Sequence, residues 1–144
     1  MGHEGPKQRR KALNEARKAM EAELAREQGD YRPPDRDDCS SKEWYLSIDD
    51  SANLRISIWT WRFEGRLVDF LMLVETGDWA VADAWQEVAR IDCSGGRCHL
   101  HPPNDMDEHE LILRLDSIDD VEKAFGHANT IAVTVAIMIR DGRS

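Results

Sequence analysis

The sequence predicts an α+β fold: an antiparallel β-meander of about five or six strands, packed against one C-terminal helix and preceded by a charged N-terminal helix. Three observations predict it. Between Glu43 and Leu115 apolar residues recur with period two and are punctuated by turn chemistry. From Ser117 to Ile139 the apolar residues instead step by threes and fours. From Pro6 to about Gln28, strong helix formers fill a segment bracketed by a proline at its start and Gly29 just past its end.

In that first helix Ala12, Leu13, Ala16, Met20 and Leu24 make a thin apolar stripe between many charges. Such a helix packs lightly, mediates association or frays. Gly29 to Ser41, with Tyr31-Arg-Pro-Pro-Asp-Arg-Asp-Asp38, reads as an extended linker, because two prolines bar helix and the charges oppose burial. The organisation expected is therefore a basic helix over 1–28, a linker over 29–42 and an α+β domain over 43–144.

Trp44 to Ile48 reads as a strand, followed by turn residues from Asp49 to Asn53. Leu54 to Phe63 alternates, with Leu54, Ile56 and Ile58 on one face and Trp59, Trp61 and Phe63 on the other. Glu64-Gly65 signals a tight turn into Leu67–Glu75. Thr76 to Ala84 reads either as a helical turn capped by Asp78 or as a long hairpin loop. Trp85–Ile91 and Arg97–His101 continue the meander until Pro102-Pro103-Asn104-Asp105 ends it, since proline cannot donate to a strand ladder. His109–Leu115 is a further strand. Ser117 then caps a helix with Asp119 and Asp120 in its first turn, where the helix dipole favours negative charge. The run from Thr130 to Ile139 also alternates and could be a strand instead, but helix is the favoured reading there.

The chain has 144 residues, enough for one real core, and a formal net charge of −9. Lys7 to Glu27 carries seven Lys/Arg against four Glu, a net +3; taking that segment and Glu4 out of the total leaves −11 elsewhere. An acidic body repels nucleic-acid phosphate and suits a basic protein partner, although a local basic element can still meet RNA. Three cysteines and no apolar stretch near the start favour a reducing, cytoplasmic setting. The apolar run Ile131–Ile139 is too short to span a bilayer, so no membrane partner is expected.

The most informative stretch is Arg90 to His101, two short strands around a Gly95-Gly96 turn. Alternation puts Arg97, His99 and His101 on one face, with Arg90 and Asp92 opposite them. Imidazole titrates near neutrality, so His99 and His101 are candidate catalytic residues, with Asp92 as the orienting carboxylate. Arg90 and Arg97 are candidate phosphate-binding residues. The plainer reading is a solvated strand face with Cys98 and Leu100 in the core. Cys93, Cys98, His99 and His101, with His109 as a further ligand, offer donors that zinc accepts. Alternation turns Cys98 away from the histidines, however, so no metal and no other cofactor is expected. Cys93 and Cys98 are weak candidates for a nucleophilic thiol, because strand cysteines are usually buried and inert. Trp59, Trp61 and Phe63 read either as core under a helix or as a base-stacking row. Trp79 and Trp85 are candidate interface anchors.

Val68-Asp69-Phe70, Arg90-Ile91-Asp92, His99-Leu100-His101 and Ser117-Ile-Asp-Asp-Val-Glu-Lys-Ala124 occur in that order. In this the stretch from Glu64 to Asn129 resembles the TumE-like toxin components of prokaryotic toxin–antitoxin operons and their uncharacterised relatives. Where those proteins often show a His-Gly step after the Asp, this chain has Cys93-Ser94-Gly95-Gly96. The resemblance implies a small toxin-like protein of a toxin–antitoxin or mobile-element system, directed at RNA and held by an antitoxin or other protein partner. The alternative is a non-catalytic, acidic protein–protein interaction module, such as a phage-encoded inhibitor or accessory factor. The oligomeric state is open.

Overall fold

The computed structural model describes residues 5–48, 53–103 and 109–142. Its elements, in order, are helix α1 (Pro6–Glu27), a short 3₁₀ turn (Arg36–Asp38), strands β1 (Ser40–Ser47), β2 (Leu54–Phe63), β3 (Arg66–Asp78), β4 (Val81–Ser94), β5 (Arg97–His101) and β6 (Glu110–Arg114), and helix α2 (Ile118–Arg140). The six strands form one antiparallel sheet in sequence order. This is the expected α+β meander, with six strands.

Two of its hairpins turn on pairs of left-handed residues: Glu64 and Gly65 (φ 51° and 80°), and Gly95 and Gly96 (φ 61° and 72°). Consecutive positive φ angles match the right-handed twist of the flanking strands, which fixes the registers Phe63↔Arg66 and Ser94↔Arg97. Those registers place each strand's apolar set on one face. Ile56, Ile58, Phe70, Met72, Val74, Ala89, Ile91, Cys98 and Leu100 are all buried. Helix α2 lies on this face, chiefly over β3. Its buried residues are Val121, Ala124, Ala128, Ala132 and Ala136. A row of alanines at four-residue spacing lets the helix backbone come close to the sheet, and Phe125 meets Phe70 edge to face at 5.2 Å.

The favoured helix over 130–139 is borne out and three other expectations are corrected. Residues 130–139 are helix throughout, because Ala132 and Ala136 continue the buried row while the β-branched residues occupy the flanks. Thr76–Ala84 is neither a helical turn nor a long loop. Strands β3 and β4 run on to a tight turn at Trp79-Ala80, where Asp78 Oδ1 accepts the Ala80 N–H at 2.9 Å. Trp59, Trp61 and Phe63 are not core under a helix: they line the sheet face opposite α2, and Phe63 is exposed. Lastly, the stretch after Gln28 is a bound strap. Gly29 is buried and donates to Gly96 O at 2.8 Å; Tyr31 donates its N–H to Leu115 O at 3.1 Å and its Oη–H to Val68 O at 2.7 Å. Strand β1 already begins at Ser40.

The expected turn at Asp49–Asn53 lies, apart from Asn53, outside the described residues, as do Asn104 and Asp105. No described helix is long and apolar enough to cross a membrane.

Candidate metal centre

On the face of the sheet away from α2, β4 contributes Asp92 and β5 contributes His99 and His101. The register sets Asp92 opposite His99 and Arg90 opposite His101. A bulge between Cys98 and His99 then shifts β6 by one residue, giving His99↔Leu111 and Leu100↔Glu110. Continued by one residue, that register brings His109 opposite His101. The three imidazoles stack into a tight group with ring centroids 4.9 Å (99–101), 4.9 Å (99–109) and 4.5 Å (101–109) apart. One nitrogen from each lies within 4.8 Å of the other two.

The carboxylate of Asp92 sits beneath this group. Its Oδ1 is 2.9 Å from His99 Nε2 and its Oδ2 is 3.7 Å from His101 Nε2. The first contact is close enough for an ion pair but too poorly aligned for a hydrogen bond, and Oδ1 is left without a donor. Burial pushes the Asp92 carboxyl up; its contact with His99, then the nearby His101 and Arg90, outweigh this and hold it below the usual carboxylate range. It is therefore an anion at neutral pH. The His99 side chain is 4 % exposed, and its second nitrogen, Nδ1, is buried without any hydrogen-bond partner. A buried, unpaired imidazole nitrogen is costly unless something accepts its lone pair. His109, at the exposed rim, is held below the ordinary imidazole value by burial and by the like charges of His101, His99 and Arg97. The ring thus stays neutral, with one nitrogen lone pair available, to lower pH than a free imidazole.

Three convergent nitrogens backed by a carboxylate form a donor set suited to a borderline divalent ion. Imidazole suits zinc, copper, iron and nickel. A tetrahedral ion about 2.0–2.1 Å from each nitrogen needs them about 3.3 Å apart, so closure asks for shifts of no more than about 1.5 Å. A carboxylate on the far nitrogen of a ligating histidine is the usual outer partner, which fixes the ring and raises its basicity. Asp92 stands in that position to His99.

The structure brings the expected His99, His101 and Asp92 together and adds His109. The donor set differs from the Cys/His site weighed for zinc: Cys98 and Cys93 lie on the α2 side, and contact with Cys98, then burial, push the Cys93 thiol well up, away from nucleophilic reactivity. The expected phosphate-binding arginines are each held by a carboxylate. Arg90 forks onto Glu87 (Nε–Oε1 2.6 Å, Nη2–Oε2 3.0 Å), and Arg97 Nη1 meets Glu27 of α1 at 3.3 Å. Neither glutamate was singled out from the sequence: one is three residues from its arginine, the other seventy.

The expected interface residues Trp79 and Trp85 lie near the other end of this face, 4.9 Å apart. With Tyr45 they surround the guanidinium of Arg55, at 4.1 Å from Trp85 and 4.2 Å from Tyr45. Arg55 is also paired with Glu75 at 3.0 Å, and Glu75 accepts the Ser57 hydroxyl. Two cavities, of about 270 Å³ beside Leu54 and Ile139 and about 140 Å³ beside Tyr31 and Cys93, lie away from the imidazoles.

Family models, curated proteins and solved structures provide no match to this chain.

Proposed function

We propose that this chain is a zinc-type metalloprotein whose ion is held by His99, His101 and His109, with Asp92 behind His99, and that the centre serves hydrolysis. The observation that carries this reading is the convergence of one nitrogen from each of three imidazoles to within 4.8 Å, one of them belonging to a buried histidine whose Nδ1 has no hydrogen-bond partner. Three protein ligands leave a fourth position for water, the arrangement typical of catalytic rather than structural zinc. The exposed side of His109 gives that position a route to solvent. For the toxin-like reading, attack on RNA in a toxin–antitoxin or mobile-element setting, an ion held by His99, His101 and His109 would supply a water acidified for attack. Free imidazoles aided by Arg90 and Arg97 are less well supported, because both arginines are already engaged by carboxylates.

The test is RNA turnover by purified protein after chelation and zinc restoration, together with growth arrest on expression. The proposal expects zinc to restore activity, and His99→Ala, His101→Ala and His109→Ala each to abolish it. Zinc-loaded protein that leaves RNA intact ends the RNA-directed reading. A second reading, a non-catalytic interaction module, is favoured by one separate observation: Tyr45, Trp79 and Val81 stand exposed at one end of the sheet. It expects Trp79→Ala to abolish capture of a protein partner with the imidazole cluster unaffected.

A further inference from the structure

Helix α1 is firmly held at one end and touches almost nothing elsewhere. At its C-terminal end Glu27 pairs with Arg97, Arg26 O accepts from Arg114 Nη1 at 2.9 Å, and the strap at Gly29 is sewn to Gly96. Before Glu27 every described side chain of the helix is exposed. The helix thus extends about 33 Å from its anchor, at 1.5 Å per residue over 22 residues. The described side chains before Glu27 gain none of the tertiary packing that supplies most helical stability in proteins. Leu13 and Met20, seven residues apart, are 71 % and 65 % exposed, and Ala16 lies between them on the same face. Seven-residue spacing with a small residue between is the narrow seam of a two-helix pair.

The charges of the helix are segregated along its length. Residues 6–18 hold six Lys/Arg and one Glu, a net +5, with no acid in the first turn; residues 19–27 hold three Glu and one Arg, a net −2. Beyond the helix the remainder of the chain, Glu4 apart, carries −11. Parallel pairing of two such helices would set +5 against +5. Antiparallel pairing sets each +5 half against the partner's −2 half, and carries each basic tip to the other copy's acidic body. The helix dipoles also oppose one another favourably in that arrangement.

We propose that α1 is a dimerisation arm, and that two copies of this chain associate through antiparallel α1 helices along the Leu13–Ala16–Met20 seam. The fixed anchor at Glu27 and Gly29 presets the direction of the arm, so little ordering remains to be done on association.

Sedimentation equilibrium of the full chain tests this. The expected result is a dimer in 50 mM salt whose dissociation constant rises at least about tenfold in 500 mM salt, since exposed ion pairs are screened. Leu13→Glu/Met20→Glu is expected to give a monomer with an unchanged sheet, because neither residue touches it. Arg9→Glu/Arg10→Glu/Lys11→Glu turns the first half to −1, against −2 in its own copy. Glu21→Lys/Glu23→Lys turns the second half to +2, against +5. Each variant alone should be monomeric, and mixing them should restore a heterodimer, since −1 then faces +2 and +5 faces −2. A parent chain that stays monomeric at about 0.1 mM in 50 mM salt overturns the proposal, including when it binds RNA or anionic vesicles instead. So does a dimer that survives Leu13→Glu/Met20→Glu, or a mixture of the charge variants that fails to associate.

Discussion

Replacing Gly29 by alanine probes the strap that fixes α1 to the domain. A Cβ at this position would stand 1.8 Å from Leu115 O, 2.4 Å from Leu115 C and 2.9 Å from Asp116 Oδ1. The nearest obstacles are backbone, so no side chain can rotate aside. Reaching an ordinary contact distance needs about 1.5 Å of separation between the strap and the residues after β6. That movement breaks the Gly29 N–H to Gly96 O bond and the Tyr31 N–H to Leu115 O bond, each contributing about 1 kcal/mol net. Residual crowding adds about 1 kcal/mol or more. The expected loss is about 3 kcal/mol, or about 6–12 °C in Tm for a domain of this size. Gly65→Ala is the control: its φ of 80° strains an alanine, but nothing lies within 4 Å of the added carbon, so about 1 kcal/mol is expected. Urea titration of both variants against the parent decides the matter. If Gly29→Ala costs no more than Gly65→Ala, the strap does not pass against Leu115 as described.

Other predictions follow from the packing and the charges. Ala132→Leu, on the buried row of α2, is expected to cost about 1–3 kcal/mol by overpacking, whereas Thr134→Leu on the exposed side should stay within about 0.5 kcal/mol; thermal melts compare them. Arg55→Ala strands the Glu75 carboxylate, whose side chain is 11 % exposed, and is expected to cost about 2–4 kcal/mol at pH 7. Urea titration of variant against parent at pH 7 reads this loss; a cost within about 0.5 kcal/mol contradicts the buried ion pair. Zinc affinity is expected to fall as pH drops below about 6.5, where imidazoles take up protons that compete with the ion. His109 is held below that value by burial and by the neighbouring charges. Asp92, held below the usual carboxylate range, remains an anion through the whole window. Asp92→Asn should weaken zinc about 10–100-fold at pH 7.5, because the ring of His99 loses the carboxylate that fixes it. A parent midpoint near pH 4, read by competition titration, would assign the loss to the carboxylate instead.

The sheet was readable from the chain because period-two alternation and two left-handed turns specify strand, face and register together. Asp92 opposite His99 follows directly from the Gly95-Gly96 turn. Where two periodicities overlapped, as at Thr130–Ile139, the deciding signal was the alanine row at 124, 128, 132 and 136, because a close helix–sheet approach selects for small residues rather than for hydrophobicity. The aromatic row at Trp59, Trp61 and Phe63 suggested core from its bulk. Its place on the uncovered face is set by which side α2 takes, a long-range choice that local pattern does not contain. In the centre itself, His109 sits eight residues past His101, and only the β5–β6 bulge carries it to the other imidazoles. The carboxylates on Arg90 and Arg97 escaped notice for a like reason: Glu27 reaches Arg97 through the fold, and Glu87 reaches Arg90 across a local strand irregularity.

Equilibrium dialysis of the full chain against zinc, with cobalt as the spectroscopic substitute, tests the imidazole centre most directly. The account predicts one ion per chain, a cobalt spectrum of a nitrogen-ligated site, and loss of the ion in each of His99→Ala, His101→Ala and His109→Ala with circular dichroism unchanged. A chain that takes up no zinc at micromolar concentration, or one whose zinc survives all three substitutions, would contradict it.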